Sequence, residues 1–317
     1  MMSKKPLIPR RYYKELRIQQ LRALLALERH GSFAAAAVVL DLATPTVWQQ
    51  VRALEAEFGV ELVRVEGKSI SLTDDALVLI DAAHPLVEGF DSLHEIFTQR
   101  TQTYARRLTI TSTLQLLKFE LAEPLREFRR AHPDVHVSII DQSSKAAREY
   151  LKQGDADIAI VGELKPGSES ALNVTRLMDY PFVLIAPREH PQLHSAQVSL
   201  RAIAKEPLVL SHRETAPESR VRNTFRKAGI DRDLNVVVDG VSIDLLIDFV
   251  ARGYGLCVAS ISPLLRKATE HEYKEHLGFR EVSQQFGVES IVLLSRAGRY
   301  EPTHHRSFRE LVEGCLK

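Results

Sequence analysis

Between residues 44 and 52 the chain reads TPTVWQQVR, a run of hydroxyls and amides with one guanidinium around the single Trp48. A glutamine such as Gln49 can bond adenine bidentately through its amide, and an arginine can read guanine or grip phosphate. Groups of this kind read nucleic acid only from a rigid support narrow enough to enter the major groove, which is a demand for a helix. Val47, Val51, Leu54 and Phe58 recur at i, i+4, i+7 and i+11. That spacing predicts a helix with these four inward and Thr46, Gln49, Gln50 and Arg52 outward. Thr44 stands at its N-cap place and Pro45 at the first helical position, where a missing N–H costs nothing. Residues 33–40 predict a shorter helix opened by Ser32 as N-cap after Gly31, with a turn at 41–43. Ala35 and Ala36 let the two helices approach closely. Two short helices across a tight turn suit major-groove reading, and they equally suit an ordinary core hairpin.

A second set of groups is rich in hydroxyls: Thr111, Ser112 and Thr113, then Gln142 and Ser143, then Ser211 with Arg213, Val241 with Ser242, and Ser260. Each lies where a predicted strand ends or a helix begins. The strands are 108–112, 135–141, 157–161, 182–186, 208–211, 235–239, 256–260 and 291–295. The helices are 116–131, 145–153, 200–204, 219–228, 243–252, 263–266 and 304–316. The alternation predicts an α/β class with parallel sheets. Its length suits two small lobes better than one large sheet. Ligands of such sheets bind beyond the carboxyl ends of strands, where helix N-termini offer N–H donors. Hydroxyls, N–H groups and Arg213 converging there suit a small anion, a carboxylate or a sulfate. Residue by residue, each Ser or Thr is better explained as a helix cap.

The elements around the first set complete a head. Residues 16–29 predict an amphipathic helix with Leu21, Leu24, Leu25 and Ala26 inward. Residues 60–65 and 69–73 predict two short strands around a turn, a wing that carries Arg64 and Lys68 where they can bind backbone phosphate. Residues 74–102 predict one long helix, capped by Thr73, with Ala76, Leu79, Ala83, Leu86, Phe90, Leu93 and Phe97 as a heptad seam calling for a partner helix. Pro85 inside it removes a backbone bond and predicts a kink near 81–82. Residues 1–16 are basic and Pro-containing, which predicts a flexible extension.

Charge and composition agree. Residues 1–70 carry 11 Lys+Arg against 7 Asp+Glu, whereas the whole chain of 317 residues nets only +1. A basic head on a slightly acidic body fits a nucleic-acid module joined to something else. No run approaches the length of a transmembrane helix, the N-terminus has no apolar signal core, and two cysteines make neither a disulfide framework nor a zinc site. These features predict a cytoplasmic protein. There is no phosphate loop, no dinucleotide fingerprint, no HExxH and no GxSxG, so no enzyme is expected. His304-His305 is expected to start a helix in solvent, and Cys257 to be a small buried hydrophobe.

As a set with fixed spacing, Gly31-Ser32-Phe33, Ala36-Ala37, Leu40, Pro45, Val51-Arg52, Leu54-Glu55, Phe58-Gly59-Val60, Leu62 and Leu72-Thr73 resembles the N-terminal domain of LysR-type transcriptional regulators. More loosely, Phe128 with His132-Pro133, Gly154-Asp155-Ala156-Asp157, Ala186-Pro187, His190-Pro191 and Gly255-Leu256 resemble the remainder of that family. The chain departs from the family pattern at Ala43-Thr44, at Trp48 and Gln49, at Val63-Arg64-Val65 in the wing, and at Ala76. Trp48 can meet a thymine methyl or a sugar, or pack on Ala43. The resemblance implies a winged helix-turn-helix at 17–73, a linker and dimerisation helix at 74–104, and an effector-binding domain at 105–317. That domain would be two Rossmann-like lobes of the type 2 periplasmic-binding-protein kind, one from 105–162 with 268–317 and the other from 163–267, with chain crossings expected near 162–165 and 263–268. It implies DNA contacts by Ser32, Thr44, Pro45, Thr46, Trp48, Gln49, Arg52, Arg64 and Lys68. As partners it implies double-stranded promoter DNA, a small-molecule effector in the cleft, a homodimer or homotetramer, and RNA polymerase, with no cofactor and no membrane. A small-molecule sensor with a degenerate DNA-binding head, and an α/β enzyme using the cleft, stay open at this point.

Overall fold

The structure is a computed structural model that describes residues 16–66, 69–100, 106–163, 171–212, 216–230, 234–240 and 242–316. Two compact units make it up, Met1–Gln102 with Ala297–Tyr300, and Thr103–Arg296 with Glu301–Lys317.

The first unit runs α1 (Ile18–His30), α2 (Phe33–Leu40), α3 (Thr44–Phe58), β1 (Val63–Glu66), β2 (Ser69–Leu72) and α4 (Asp74–Arg100). Its helix ends follow local chemistry. Gly31 and Gly59 close α1 and α3 at φ 66° and 68°, the left-handed conformation that costs glycine nothing. The Ser32 hydroxyl accepts the Ala35 N–H at 3.1 Å, and Thr73 accepts that of Ala76 at 3.1 Å. The cap of α3 is Ala43, without a side-chain bond, and Pro45 lies inside the first turn; Thr44 is therefore the first helical residue rather than the cap. The core gathers Leu21, Leu24, Leu27, Ala36, Val47, Val51, Leu54 and Leu62. Phe58 is not part of it and is 47% exposed, because it falls in the last turn of α3, beyond the reach of α1 and α2. β1 and β2 pair antiparallel from Val63↔Leu72 to Glu66↔Ser69. The helix α4 runs through Pro85. The extension 1–15 and Lys68 lie outside the described residues.

The second unit follows the order β3 (Arg107–Ser112), α5 (Leu114–Phe119), α6 (Ala122–Ala131), β4 (His136–Asp141), α7 (Ser144–Gln153), β5 (Ile158–Gly162), β6 (Leu172–Pro187), α8 (Pro191–His194), α9 (Leu200–Lys205), β7 (Leu208–Ser211), α10 (Ala216–Lys227), β8 (Val236–Gly240), α11 (Ile243–Ala251), β9 (Cys257–Ser260), α12 (Pro263–Glu272), β10 (Leu277–Glu281), α13 (Ser283–Phe286), β11 (Val288–Arg296) and α14 (Thr303–Leu316). The helix expected over 116–131 is two helices, because Pro124 has no N–H to give the Glu120 carbonyl and the turn breaks there.

β7 and β8 form a parallel pair as expected, but the seven-stranded sheet is mixed rather than parallel. β3 pairs β4 and β5 in parallel, whereas β11 pairs β5 and β6 antiparallel. β6 is the shared strand. Its first half lies along β11, and residues 182–187 lie between β9 and β10. Tyr180 belongs to one hydrophobic core and Phe182 to another, so the chain changes lobe at Pro181. It returns between Phe286 and Ile291. The crossings expected near 162–165 and 263–268 are thus displaced. The first half of β6 buries only Leu172, Leu177 and Tyr180, without regular alternation, and lacks the apolar run that marks 182–186, so only its second half was legible as a strand.

Candidate functional site

On the first unit, α3 turns its N-terminal residues outward. Thr44, Pro45 and Gln49 are exposed, and Thr46 and Gln50 half-buried. Ser32 is half-buried with its hydroxyl engaged as a cap. Trp48 is 44% exposed, and the Arg52 guanidinium lies 5.0 Å from its ring centroid, a cation–π arrangement. Arg52 also donates to Glu55, so one helix face carries Trp48, Arg52 and Glu55 as a connected column. Arg52 is therefore tied along its own helix rather than projecting from it. Glu55, only 9% exposed, accepts the backbone N–H groups of Leu62 at 2.9 Å and Val63 at 3.2 Å. Its carboxylate fastens the start of the wing to the reading helix. The sequence marked Glu55 only as a matched family position; a carboxylate beside an apolar stripe gives no local sign of a backbone partner seven residues away. Arg64 is exposed on β1, 3.4 Å from Glu61, a pairing worth little in water.

The expected seam of α4 divides. Ala76 and Ala83 of the seam, with Ile80 and Val87 beside it, are buried in the core of the head, and Leu79 packs partly against it. Leu86, Phe90, Leu93 and Phe97 are exposed, four apolar residues at i, i+4, i+7 and i+11. Arg22 lies over the Phe90 ring at 5.5 Å and pairs with Asp91. Only the second half of the seam is thus left exposed, since Ala76 and Ala83 are used within the chain.

The second unit holds a cavity of about 430 Å³ between its two lobes. Thr113, Gln142, Ser143, Ser211, Ser242 and Ser260, all singled out above, line it. Thr111 and Ser112 do not: both are wholly buried in β3, and Ser112 donates to the Ile160 carbonyl. Their side chains belong to the sheet, and only Thr113 emerges beyond its edge. Arg213 and Val241 lie outside the described residues. The hydroxyls differ in use. Ser143 caps α7 through the Ala146 N–H at 3.3 Å. Thr113 and Ser242 occupy the N-cap positions of α5 and α11 without making the cap bond, two hydroxyls from opposite lobes not used in capping.

Three further lining residues are Gln115 near the start of α5, Tyr180 within β6 and Glu289 near the start of β11. Glu289 is 8% exposed and its Oε2 accepts the Ser260 hydroxyl. Burial pushes its carboxyl above the usual carboxylate range, against the pull of Ser260 and of the nearby Arg220 and Arg148. The Tyr180 hydroxyl, buried beside the Glu120 carboxyl, has its pKa pushed far up and makes no well-formed hydrogen bond among the described residues. A lone acid inside the apolar strand VESIVLL was the one available sign of Glu289.

Two expectations about other residues resolve. His304 and His305 are buried, each 6% exposed, with their Nε2 atoms 3.0 and 2.9 Å from the Arg107 carbonyl oxygen; they anchor α14 to β3 rather than meeting solvent. Cys257 is wholly buried, and burial pushes its thiol up to about 12, which keeps it protonated and unreactive. Among the described residues no group of three or more His, Cys, Asp or Glu side chains is placed to hold a metal ion. No helix among them is long and apolar enough to cross a membrane.

Residues 18–77 match the family of bacterial regulatory helix-turn-helix proteins, lysR family, and residues 101–315 match the LysR substrate binding domain. The chain belongs to the LysR family. Among its relatives is the HTH-type transcriptional activator CmpR of Synechocystis sp., 27% identical over 79% of this chain and 81% of that protein. The HTH-type transcriptional regulator cbl of Escherichia coli is 23% identical over 95% and 93%. Solved structures share the fold: full-length BenM at TM-score 0.53 and 21% identity, covering 94% of this chain and 96% of that one, and the cofactor-binding domain of Cbl at TM-score 0.59 and 22% identity, covering 68% and 91%. This LysR-family chain is a DNA-binding transcriptional regulator with an effector-binding domain after its winged helix-turn-helix. The relatives it matches are named as regulators, not enzymes.

Proposed function

We propose that this LysR-family regulator reads promoter DNA through residues 17–73, dimerises through the linker helix over 74–104, and is controlled by a small molecule bearing an anionic group in the cavity of residues 105–317. Thr44, Pro45, Thr46, Trp48 and Gln49 approach base edges, with Gln49 bonding adenine. Ser32, Arg64 and Lys68 take phosphate. Arg52 sets the Trp48 ring and, through Glu55, the wing. In the cavity Thr113, Gln142, Ser143, Ser211, Arg213, Val241, Ser242 and Ser260 contact the effector, Ser260 by way of Glu289. Thr111 and Ser112 have no part in it. Leu86, Phe90, Leu93 and Phe97 pair with the same residues of a second copy, giving a homodimer or, by further contacts, a homotetramer that works with RNA polymerase in the cytoplasm.

The observation that carries this reading is the exposed first half of α3, stiffened by Glu55 and bearing Thr44 and Gln49 side chains with no hydrogen-bond partner among the described residues. Binding of the full chain to its own upstream DNA, titrated over a range of salt, tests it. A specific complex weakens steeply with salt yet stays about 1,000-fold or more tighter than random DNA. Equal affinity for random DNA would sink it.

A further inference from the structure

We infer that the effector of this cavity is a small amino acid, a zwitterion whose carboxylate is taken by the non-capping hydroxyls and helix starts and whose ammonium is taken by Glu289. The inference rests on the reading of the cavity as the effector site and names the class of molecule it accepts.

The donor side of the cavity suits a carboxylate. Thr113 and Ser242 carry hydroxyls that do no capping. Helices α7 and α11 begin at the cavity, with Ser143, Ser144, Ser242 and Ile243 in its wall, and their first turns offer N–H groups and positive dipole. Lys145 adds a cation.

The same wall is wrong for a bare anion. Asp141 and Glu289 line it as well, so a sulfate or a simple carboxylate would meet two carboxyl groups, of which Arg220 and Arg148 offset Glu289 only in part, its pKa staying raised. Glu289 is the better built of the two. It is 8% exposed, its Oε2 is held by Ser260, and among the described residues nothing donates to its Oε1. The strand opposite makes room for it: a Cβ on Gly162 would stand 1.9 Å from that Oε1. A buried carboxyl group held in place by a hydroxyl, with a glycine beneath it and one oxygen left over, asks for a donor. Gln115 carries a second acceptor in the same wall, its Oε1, also without a partner among the described residues. Acceptors cannot be satisfied by an anion, and a charged donor offsets a buried carboxylate better than a hydroxyl does. The burial that favours the neutral form of Glu289 in the empty cavity is countered when an ammonium arrives.

The test is isothermal titration of the full-length protein with each common L-amino acid and with the matching carboxylic acid that lacks the amine, with sulfate as the bare anion. At least one amino acid is expected to bind about 100-fold or more tighter than its amine-free counterpart, since a site built to bond an N–H rejects the molecule lacking it. Glu289→Gln should shrink that ratio below about tenfold, with the amine-free acid binding no more weakly than before, since the acid it would meet is gone. Gly162→Ala, whose added methyl displaces the carboxyl, should shrink it in the same way, and circular dichroism checks that both variants are folded. Equal binding of the paired acids, or a ratio untouched by Glu289→Gln, overturns the ammonium assignment and leaves the effector site standing. Tight binding of sulfate with no amino acid bound does the same. Failure of every compound to bind overturns the assignment together with the effector reading.

Discussion

The Oε1 of Glu55 accepts the backbone N–H of Leu62 at 2.9 Å, across the turn between the reading helix and the wing. The same oxygen takes the Val63 N–H at 3.2 Å. Both N–H groups sit where the chain is buried, so neither has water as an alternative. Glu55→Ala leaves two buried donors unmade, each worth about 1–3 kcal/mol. Chemical denaturation should show a loss of about 3 kcal/mol, and hydrogen exchange should speed up at the Leu62 and Val63 amides. Unchanged exchange at those two amides would count against the wing being fastened this way.

Gln49 and Arg64 separate reading from gripping. Gln49→Ala should cost about 1–3 kcal/mol against the preferred site and little against random DNA. Arg64→Ala should weaken both alike and reduce the salt slope by about 0.9. Competition titrations at several salt concentrations distinguish the two patterns, and an exchange of the patterns would reverse the assigned roles.

Phe90 and Leu93 are exposed on α4 while Ala83 and Val87 on its other side are buried. Phe90→Asp with Leu93→Glu should leave the head folded, because neither residue belongs to its core. Sedimentation should then report monomers and DNA affinity should fall, since two linked heads gain by effective concentration. A double variant that still sediments as an oligomer would place the interface elsewhere.

Burial depresses the pKa of His304, which Arg107 would otherwise raise through its carbonyl, and the neighbouring His305 depresses it further. The unfolded chain takes up a proton near pH 6.5, and the folded chain does so only at lower pH. Stability must therefore fall as pH drops through 6.5 toward the folded value. His304→Gln, which keeps a donor for the Arg107 carbonyl, should flatten that part of the profile. The comparison is thermal unfolding of both proteins at pH 8 and pH 5.5, with a smaller difference between the two pH values in the variant.

What could be read without a structure was whatever depends on residues three or four apart. Ser32 and Thr73 cap their helices as expected, because a cap is completed within one turn. Val47, Val51 and Leu54 face inward because a helix repeats every 3.6 residues. Thr44 missed its place by one residue, within the slack of any helix boundary. Tertiary structure decided the rest. The two-lobe use of β6, the exposure of Phe58 and the burial of His304 and His305 depend on what the chain brings alongside, and no local spacing encodes that. So does the sorting of the hydroxyls: Thr111, Ser112 and Thr113 are consecutive in sequence, yet only the last reaches the cavity, because the strand ends between them. Glu289 shows the limit most plainly. Its sequence neighbours are apolar, and its character as a ligand group comes from Ser260 and Gly162, residues 29 and 127 positions away that the sheet places beside it.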